Sequence, residues 1–332
     1  MQLDPEPQAL LERMLSMPYS ENGELVAREL LGRKAWPRET TAPESRVEGV
    51  ASVEDVKIEA SDGGVFTARL STPTGTGPFP IHIYFHGGGW IVGSAYDERT
   101  DLLCQQRCAQ TESIVLNVDY RLAPEFVFPT GPEDCYRSLQ WAARNAEKIN
   151  GDAALISVGG ASAGGNLAAV VSVMTRDRSG PKVILQLLEI AEVDCTKSTY
   201  LWRYGHENYD VTRDIDLLGV RLYLRTPADQ VHPYASPAFA PDLSGIAPLY
   251  ALSAEFDPRR DSVEMYGARI NDAGGEAVTR TLSGHIHGSS MLTDSWEPAR
   301  QWVAEANAVL RHVNGAPDGR VFDDFVFSGI SN

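Results

Sequence analysis

Two kinds of hydrophobic pattern distinguish the strands that this sequence predicts. In residues 53–59 and 65–70, apolar and polar side chains alternate, and the turn-forming residues 61–64 lie between them. This pattern predicts a β-hairpin. Later apolar runs have no clean alternation, which is typical of strands buried on both faces. These runs are residues 81–85, 113–118, 154–158, 183–190 and 249–253.

Helical segments are predicted between the buried runs. They cover residues 98–109, 132–150, 164–176 and 260–273. Buried strands that alternate with helices favour a mostly parallel central sheet with helices on both faces. The sequence therefore predicts an α/β fold.

Two further regions interrupt this alternation. Residues 1–45 predict two N-terminal helices, which either pack on the core or cover a site as part of a cap. Residues 196–237 contain no good strand and several aromatic side chains, and we predict that they form a helical cap insertion. An insertion at this place lies near the carboxyl ends of the strands, where ligands bind in such sheets. The predicted division is 1–45 N-terminal helices, 46–195 first part of the core, 196–237 cap, 238–316 second part of the core, and 317–332 a C-terminal tail.

Composition narrows the classes of partner and compartment. The chain of 332 residues has 29 Lys and Arg against 45 Asp and Glu, a net charge of −16, which argues against nucleic acid or an anionic membrane as the main partner. No apolar run reaches the roughly 18–20 residues of a membrane span, and the first residues do not resemble a signal peptide. The four cysteines are too few for a disulfide framework, which predicts free thiols and a cytoplasmic location.

The segment Gly160-Ala161-Ser162-Ala163-Gly164 matches the G-x-S-x-G pattern. It follows a buried run and precedes a predicted helix, and strand–turn–helix is the context that this pattern requires. A tight turn with small neighbours would project the hydroxyl of Ser162 from the edge of the sheet as a nucleophile. The alternative is a helix start whose small residues only serve close packing.

A glycine-rich segment, His86-Gly87-Gly88-Gly89-Trp90, directly follows the buried run 81–85. Acyl transfer needs N–H donors aimed at the oxygen that becomes negative in the tetrahedral intermediate. We predict that Gly87, Gly88, Gly89 and the N–H of Ala163 form such an oxyanion hole, with His86 in a structural role. A flexible turn is the alternative interpretation.

A hydroxyl nucleophile also needs a base, and the base needs a carboxylate that orients it. In this type of sheet the order along the chain is serine, acid, histidine. His285 and His287 both lie in a turn after a strand-like run, and we prefer His287 because Gly288 follows it. Asp257 follows the run 249–253 and is the preferred acid, with Glu255 as its closest competitor.

These segments together resemble the hormone-sensitive-lipase-like family of α/β-hydrolases, the bacterial family IV esterases. The similar motifs are His86 to Trp90, Asp119 to Glu125, Gly160 to Gly165, Asp257 to Asp261 and Gly284 to Gly288. The resemblance implies an α/β-hydrolase fold with Ser162, Asp257 and His287 as a catalytic triad. It implies hydrolysis of small carboxylic esters with short to medium acyl chains, no cofactor, no metal, and a homodimer.

Several residues depart from the family pattern. Ala161 stands where the family usually has Asp, Arg259 where it has Leu, and Ser289 where it has Phe. Glu189 and Glu192 lie in a segment that is usually apolar. These changes predict a more polar substrate pocket, and they leave open a relative with changed chemistry, such as a lyase, an acyltransferase or an amidase. A binding protein without catalysis is the third alternative.

Overall fold

The computed structural model of the chain describes residues 47–204 and 213–315, together with Pro5, Glu6, Ala9, Val321, Phe322 and Phe325. Its described part contains one eight-stranded sheet. The strands are β1 (Val50–Glu59), β2 (Val65–Pro73), β3 (Phe79–Phe85), β4 (Ile114–Asp119), β5 (Gly151–Ala161), β6 (Leu185–Glu189), β7 (Leu249–Phe256) and β8 (Ala277–Ile286). Each of the predicted strand runs therefore corresponds to a strand, with ends that differ by a few residues.

The sheet has the order β1-β2-β4-β3-β5-β6-β7-β8. The first two strands form the predicted hairpin, and β2 also pairs antiparallel with β4. All remaining pairs are parallel. Because parallel strands end at the same edge, the segments that follow β3, β5, β7 and β8 converge there. These are the segments that carry the predicted chemistry.

Seven helices are described between or after the strands. They are α1 (Glu98–Thr111), α2 (Thr130–Asn145), α3 (Ala163–Asp177), α4 (Tyr200–Tyr204), α5 (Arg213–Tyr223), α6 (Arg260–Asp272) and α7 (Glu297–Gly315). The predicted helix over 132–150 is shorter than expected: α2 ends at Asn145 and a 3₁₀ turn, Glu147–Ile149, follows. None of the described helices is both long and apolar enough to cross a membrane.

Both faces of the sheet are covered, which explains why the strand runs lack alternation. On β6, Leu188 packs in the hydrophobic cluster that includes α2 and α3, whereas its neighbour Leu187 packs in the cluster that includes Trp302 of α7. Successive side chains point to opposite faces of a strand, so both must be apolar when both faces are buried. The predicted α/β-hydrolase architecture is confirmed.

The regular elements described in the segment predicted as a cap are helices joined by loops. The segment contains α4, α5 and the 3₁₀ turn Pro227–Val231, and no strand occurs in its described residues. Nearly all of residues 1–45 lie outside the described part of the chain, as does most of the tail 317–332. The predictions for those two segments are therefore not addressed by the structure.

Candidate active site

Ser162 occupies the sharp turn between β5 and α3. Its backbone has φ +56°, a left-handed conformation that is strained for a residue with a side chain. Two glycines permit this turn. A Cβ on Gly160 would lie 2.4 Å from the backbone oxygen of Phe85, and a Cβ on Gly164 would lie 1.9 Å from the same atom. The small residues of the motif are thus required because the turn packs directly on the end of β3.

Ser162, His287 and Asp257 form a continuous hydrogen-bonded row. Nε2 of His287 is 3.1 Å from Oγ of Ser162, and Nδ1 is 2.6 Å from Oδ2 of Asp257. Asp257 follows β7 and His287 follows β8, so two adjacent parallel strands deliver the carboxylate and the imidazole to the sheet edge. The carboxylate is buried, with 1% of its side chain exposed, whereas the imidazole is 18% exposed and reaches solvent.

The competing residues are engaged elsewhere. His285 is buried beside Trp296, with Nδ1 2.9 Å from Oγ of Ser289. Glu255 accepts a hydrogen bond from the backbone N–H of Gly284 at 2.9 Å. The structure therefore brings together Ser162, Asp257 and His287. The alternative residues, His285 and Glu255, bond to other parts of the protein.

The glycine-rich loop lies beside the serine turn. A Cβ on Gly87 would lie 3.5 Å from Cβ of Ser162, and Gly88 and Gly89 have φ values of +120° and +59°. The hydroxyl of Tyr120 donates to the backbone oxygen of His86 at 2.8 Å, and its ring stacks on the His86 imidazole at 4.4 Å. Tyr120 belongs to the segment Asp119 to Glu125, one of the motifs similar to the family. Its hydrogen bond and ring contact with His86 therefore hold the start of the glycine-rich loop in place.

Helix α5 covers the other side of this loop. The ring of Tyr223 stacks on Trp90 with centroids 4.6 Å apart and an interplanar angle of 5°. The indole N–H of Trp90 donates to Oδ1 of Asn166 on α3 at 3.3 Å. Burial raises the pKa of the Tyr223 phenol well above its usual value, so the ring remains neutral. These contacts connect the predicted cap, the glycine loop and the helix that begins after Ser162.

A buried group of charged side chains lies behind Asp257. Arg259 donates from Nη1 to Oδ1 of Asp257 at 3.0 Å and forms ion pairs with Glu192 and Asp216. Lys197 forms a further ion pair with Glu192. Sequence reasoning singled out Arg259 and Glu192 as unusual charges, but it could not show that they contact each other, because they are far apart in the chain.

The other unusual carboxylate lies in a separate cluster. Glu189 accepts hydrogen bonds from Arg107 and from the indole of Trp302, each at 2.9 Å. Ser289 is fully buried and bonds to His285. Glu189, Glu192, Arg259 and Ser289 are each buried against a partner inside the protein, and a more polar substrate pocket stays a prediction. No group of His, Cys, Asp and Glu suited to a metal ion occurs in the described residues.

Comparison with known proteins places the chain in a family. A family model described as "alpha/beta hydrolase fold" matches residues 82–291. The carboxylic ester hydrolase LipN of Mycobacterium tuberculosis is 33% identical over 292 residues, which cover 86% of this chain and 76% of that protein. An arylesterase of Saccharolobus solfataricus is 33% identical over 270 residues, which cover 80% of this chain and 84% of that protein.

One solved structure matches the fold of this chain along nearly its whole length. The hyperthermophilic esterase of the archaeon Pyrobaculum calidifontis matches with a TM-score of 0.81 and 32% sequence identity, over 96% of this chain and 100% of that chain. Sequence motifs, fold and relatives thus agree. The chain belongs to the hormone-sensitive-lipase-like family of α/β-hydrolases, a family of carboxylic ester hydrolases.

Proposed function

We propose that this enzyme is a serine carboxylesterase that hydrolyses small esters of short to medium acyl chain through an acyl-Ser162 intermediate. The observation that carries this assignment is the row in which His287 lies within hydrogen-bond distance of both Ser162 and Asp257. This is the geometry that a hydroxyl nucleophile needs, because the imidazole can accept its proton while a carboxylate orients the ring. Ester hydrolysis is the activity given in the names of two relatives, the carboxylic ester hydrolase LipN and the arylesterase.

Acylation begins when the substrate carbonyl lies beside Ser162. His287 accepts the hydroxyl proton at Nε2, and Oγ attacks the carbonyl carbon. Asp257 holds the Nδ1–H tautomer and stabilises the imidazolium that forms. The negative oxygen is then stabilised by backbone N–H groups of the glycine loop, Gly87 to Gly89, and of Ala163.

Collapse of this intermediate breaks the ester C–O bond. His287 gives its proton to the leaving alcohol, and the acyl group stays on Ser162. His287 next takes a proton from water, and the resulting hydroxide attacks the acyl carbon. The acid leaves, and the proton returns to Oγ of Ser162. The partly exposed position of the imidazole supports this step, because the water must reach Nε2.

The decisive experiment compares Ser162→Ala with Ser244→Ala, an exposed serine away from the row. With a short-chain p-nitrophenyl ester, the Ser162 variant should lose the burst of alcohol release and the control should retain it. An organophosphate should label Ser162 in the native chain. A normal burst in the Ser162 variant would refute the assignment.

Acyl preference is tested with esters from acetyl to dodecanoyl. We expect the maximum of kcat/KM at octanoyl or a shorter chain, and a maximum at dodecanoyl would indicate a lipase. Product analysis should give acid and alcohol in equal amounts. A transfer or elimination product would instead identify a relative with changed chemistry.

We propose that residues 1–45 and 196–237 together form the cap over the core segments 46–195 and 238–316.

We propose a cytoplasmic location, because the four cysteines are buried free thiols and the cytoplasm is a reducing compartment. Burial raises the pKa of Cys108 and of Cys195 to about 12, which keeps these thiols protonated and unreactive. We also propose a homodimer, as the family resemblance implies. Light scattering after size-exclusion chromatography should give twice the mass of one chain.

A further inference from the structure

The charged group behind the catalytic row is arranged around one guanidinium. Nη1 of Arg259 is 3.0 Å from Oδ1 of Asp257 and 3.3 Å from Nδ1 of His287. Its Nε is 3.4 Å from a carboxylate oxygen of Glu192, and its Nη2 pairs with Asp216 of helix α5. The Arg259 side chain is 2% exposed, so these contacts form in a region of low dielectric constant, where charges interact strongly.

The carboxylate of Asp257 has two differently occupied oxygens. Oδ1 accepts the backbone N–H of Arg259 at 3.0 Å and the guanidinium at the same distance. Oδ2 faces Nδ1 of His287 at 2.6 Å. Two donors on one oxygen fix the rotation of the carboxylate, so the other oxygen points to the imidazole.

The charges of the outer groups cancel. Arg259 and Lys197 carry two positive charges, and Glu192 and Asp216 carry two negative charges, so these four described side chains are neutral together. The side chains of Glu192 and Lys197 are 5% and 6% exposed, and that of Asp216 is 16% exposed. The indole of Trp202 lies 4.3 Å from the Lys197 ammonium and covers the group.

Nearby carboxylates on the same loops are not part of this balance. Glu255 accepts the N–H of Gly284, and Asp261 accepts the N–H of Leu201 at 2.8 Å. Asp194, a buried carboxylate on the loop that carries Glu192 and Lys197, accepts hydrogen bonds from the backbone N–H of Thr196 and the hydroxyl of Ser198.

We propose that Arg259 is a positioning residue of the esterase, and that its ion cluster with Glu192, Lys197 and Asp216 sets the pH at which His287 becomes a base. This inference rests on the proposed catalytic role of Ser162 and His287. Arg259 holds Asp257 in the productive orientation and opposes the positive charge of imidazolium, while the two outer carboxylates offset that opposition. Through Asp216, helix α5 is tied to the same guanidinium.

The cluster makes two substitutions act in opposite directions. Arg259→Leu leaves the outer group with one net negative charge, which stabilises imidazolium and raises the pH at which His287 loses its proton. Asp216→Asn leaves one net positive charge and lowers that pH. In the double variant, Lys197 and Glu192 remain and the outer charges cancel again. A residue with only a packing role would not produce shifts of opposite sign.

The experiment measures kcat/KM against pH for a short-chain p-nitrophenyl ester, since its acidic limb reports the free-enzyme base. The limb should move to higher pH by about one unit in Arg259→Leu, to lower pH in Asp216→Asn, and back toward the native position in the double variant. Arg259→Lys keeps the charge but not the planar fork, so kcat should fall while the limb stays in place. Arg300→Leu, an exposed cation on α7, should leave the limb unchanged.

A second measurement separates this inference from the proposed activity. Titration of the His287 ring by NMR, assigned through loss of its signal in His287→Gln, should show the same opposite shifts without any substrate. If Arg259→Leu does not fold, Asp216→Asn and Arg259→Lys still carry the test. Shifts of the same sign, or no shift in Asp216→Asn, would overturn the role of the cluster. If the His287 titration shifts as expected but the Ser162→Ala variant stays active, the proposed catalysis is overturned and the role of the cluster stands.

Discussion

Gly219 of helix α5 lies directly against the backbone oxygen of Gly89 in the glycine-rich loop. A Cβ added at Gly219 would lie 3.0 Å from that oxygen, which is closer than an ordinary van der Waals contact. One turn away along the same helix, Tyr223 stacks on Trp90, the next residue of the loop. Helix α5 therefore contacts the glycine-rich loop at two consecutive residues, and its position affects where the N–H groups of the loop point.

We expect Gly219→Ala to separate stability from activity. Alanine favours a helix by about 1 kcal/mol over glycine, so the variant should unfold at an equal or higher temperature. Its methyl group must push the Gly89 carbonyl by a few tenths of an ångström, and kcat should fall by about tenfold because small displacements of catalytic groups are costly. Arg221→Ala, an exposed change on the same helix, should leave kcat unaltered. Equal kcat values in both variants would contradict this coupling.

Two of the loop glycines, Gly88 and Gly89, should differ in their tolerance of a side chain. A Cβ on Gly88 would lie 2.2 Å from the backbone oxygen of Val92, so the loop must move in Gly88→Ala. Loss of one oxyanion donor typically costs about 10²–10³ in kcat, and we expect a fall of that order. At Gly89 the left-handed φ of +59° strains an alanine, but the nearest atom to a new Cβ is Cγ1 of Ile91 at 3.9 Å, so Gly89→Ala should retain more activity than Gly88→Ala. Similar losses in the two variants would argue against this geometry.

Asp257→Asn should inactivate the enzyme through the imidazole tautomer. Arg259 donates two hydrogen bonds to Oδ1, so the amide oxygen of the new Asn will take that place and its NH₂ group will face Nδ1 of His287. Nδ1 must then accept, which leaves the proton on Nε2, where it blocks removal of the Ser162 proton. We expect kcat to fall by about 10⁴ with little change in the unfolding temperature.

Glu255→Gln is the matched control for the acid. The glutamine oxygen can still accept the N–H of Gly284, so kcat should stay within about threefold of native. If Glu255→Gln were inactive and Asp257→Asn active, the acid would have been assigned to the wrong residue.

The sequence predicted the parts that depend on local pattern. Continuous apolar runs indicated strands buried on both faces, and small residues around Ser162 indicated the turn that packs on Phe85. The convergence of His287 on Ser162 followed from the shared edge of parallel strands. Each of these inferences needs only the periodicity of one segment or a known topological rule.

Contacts between distant side chains could not be predicted in this way. Glu192 and Arg259 were recognisable as unusual charges, but sequence alone could not show that they form an ion pair behind Asp257. Gly219 gave no signal at all, because a glycine within a helix acquires meaning only from the loop that packs on it. Pairing and close approach are properties of tertiary structure.

The buried pair of Arg107 and Glu189 gives a test of stability away from the catalytic row. Arg107 is fully buried and Nη2 is 2.9 Å from Glu189, whose other oxygen accepts the indole N–H of Trp302. Arg107→Met leaves the carboxylate buried without its cation, and we expect a loss of about 3–5 kcal/mol in the free energy of unfolding by urea.

The double variant Arg107→Met/Glu189→Leu distinguishes an uncompensated charge from lost packing. Replacing both ions with apolar side chains removes the uncompensated charge, so the double variant should be more stable than Arg107→Met alone. Arg300→Met breaks an exposed pair with Glu297 and should cost about 0–1 kcal/mol. The free energies of unfolding of Arg107→Met, Glu189→Leu and the double variant are then compared. If the double variant loses as much stability as the two single variants together, the residues contribute independently through packing and are not a coupled charge pair.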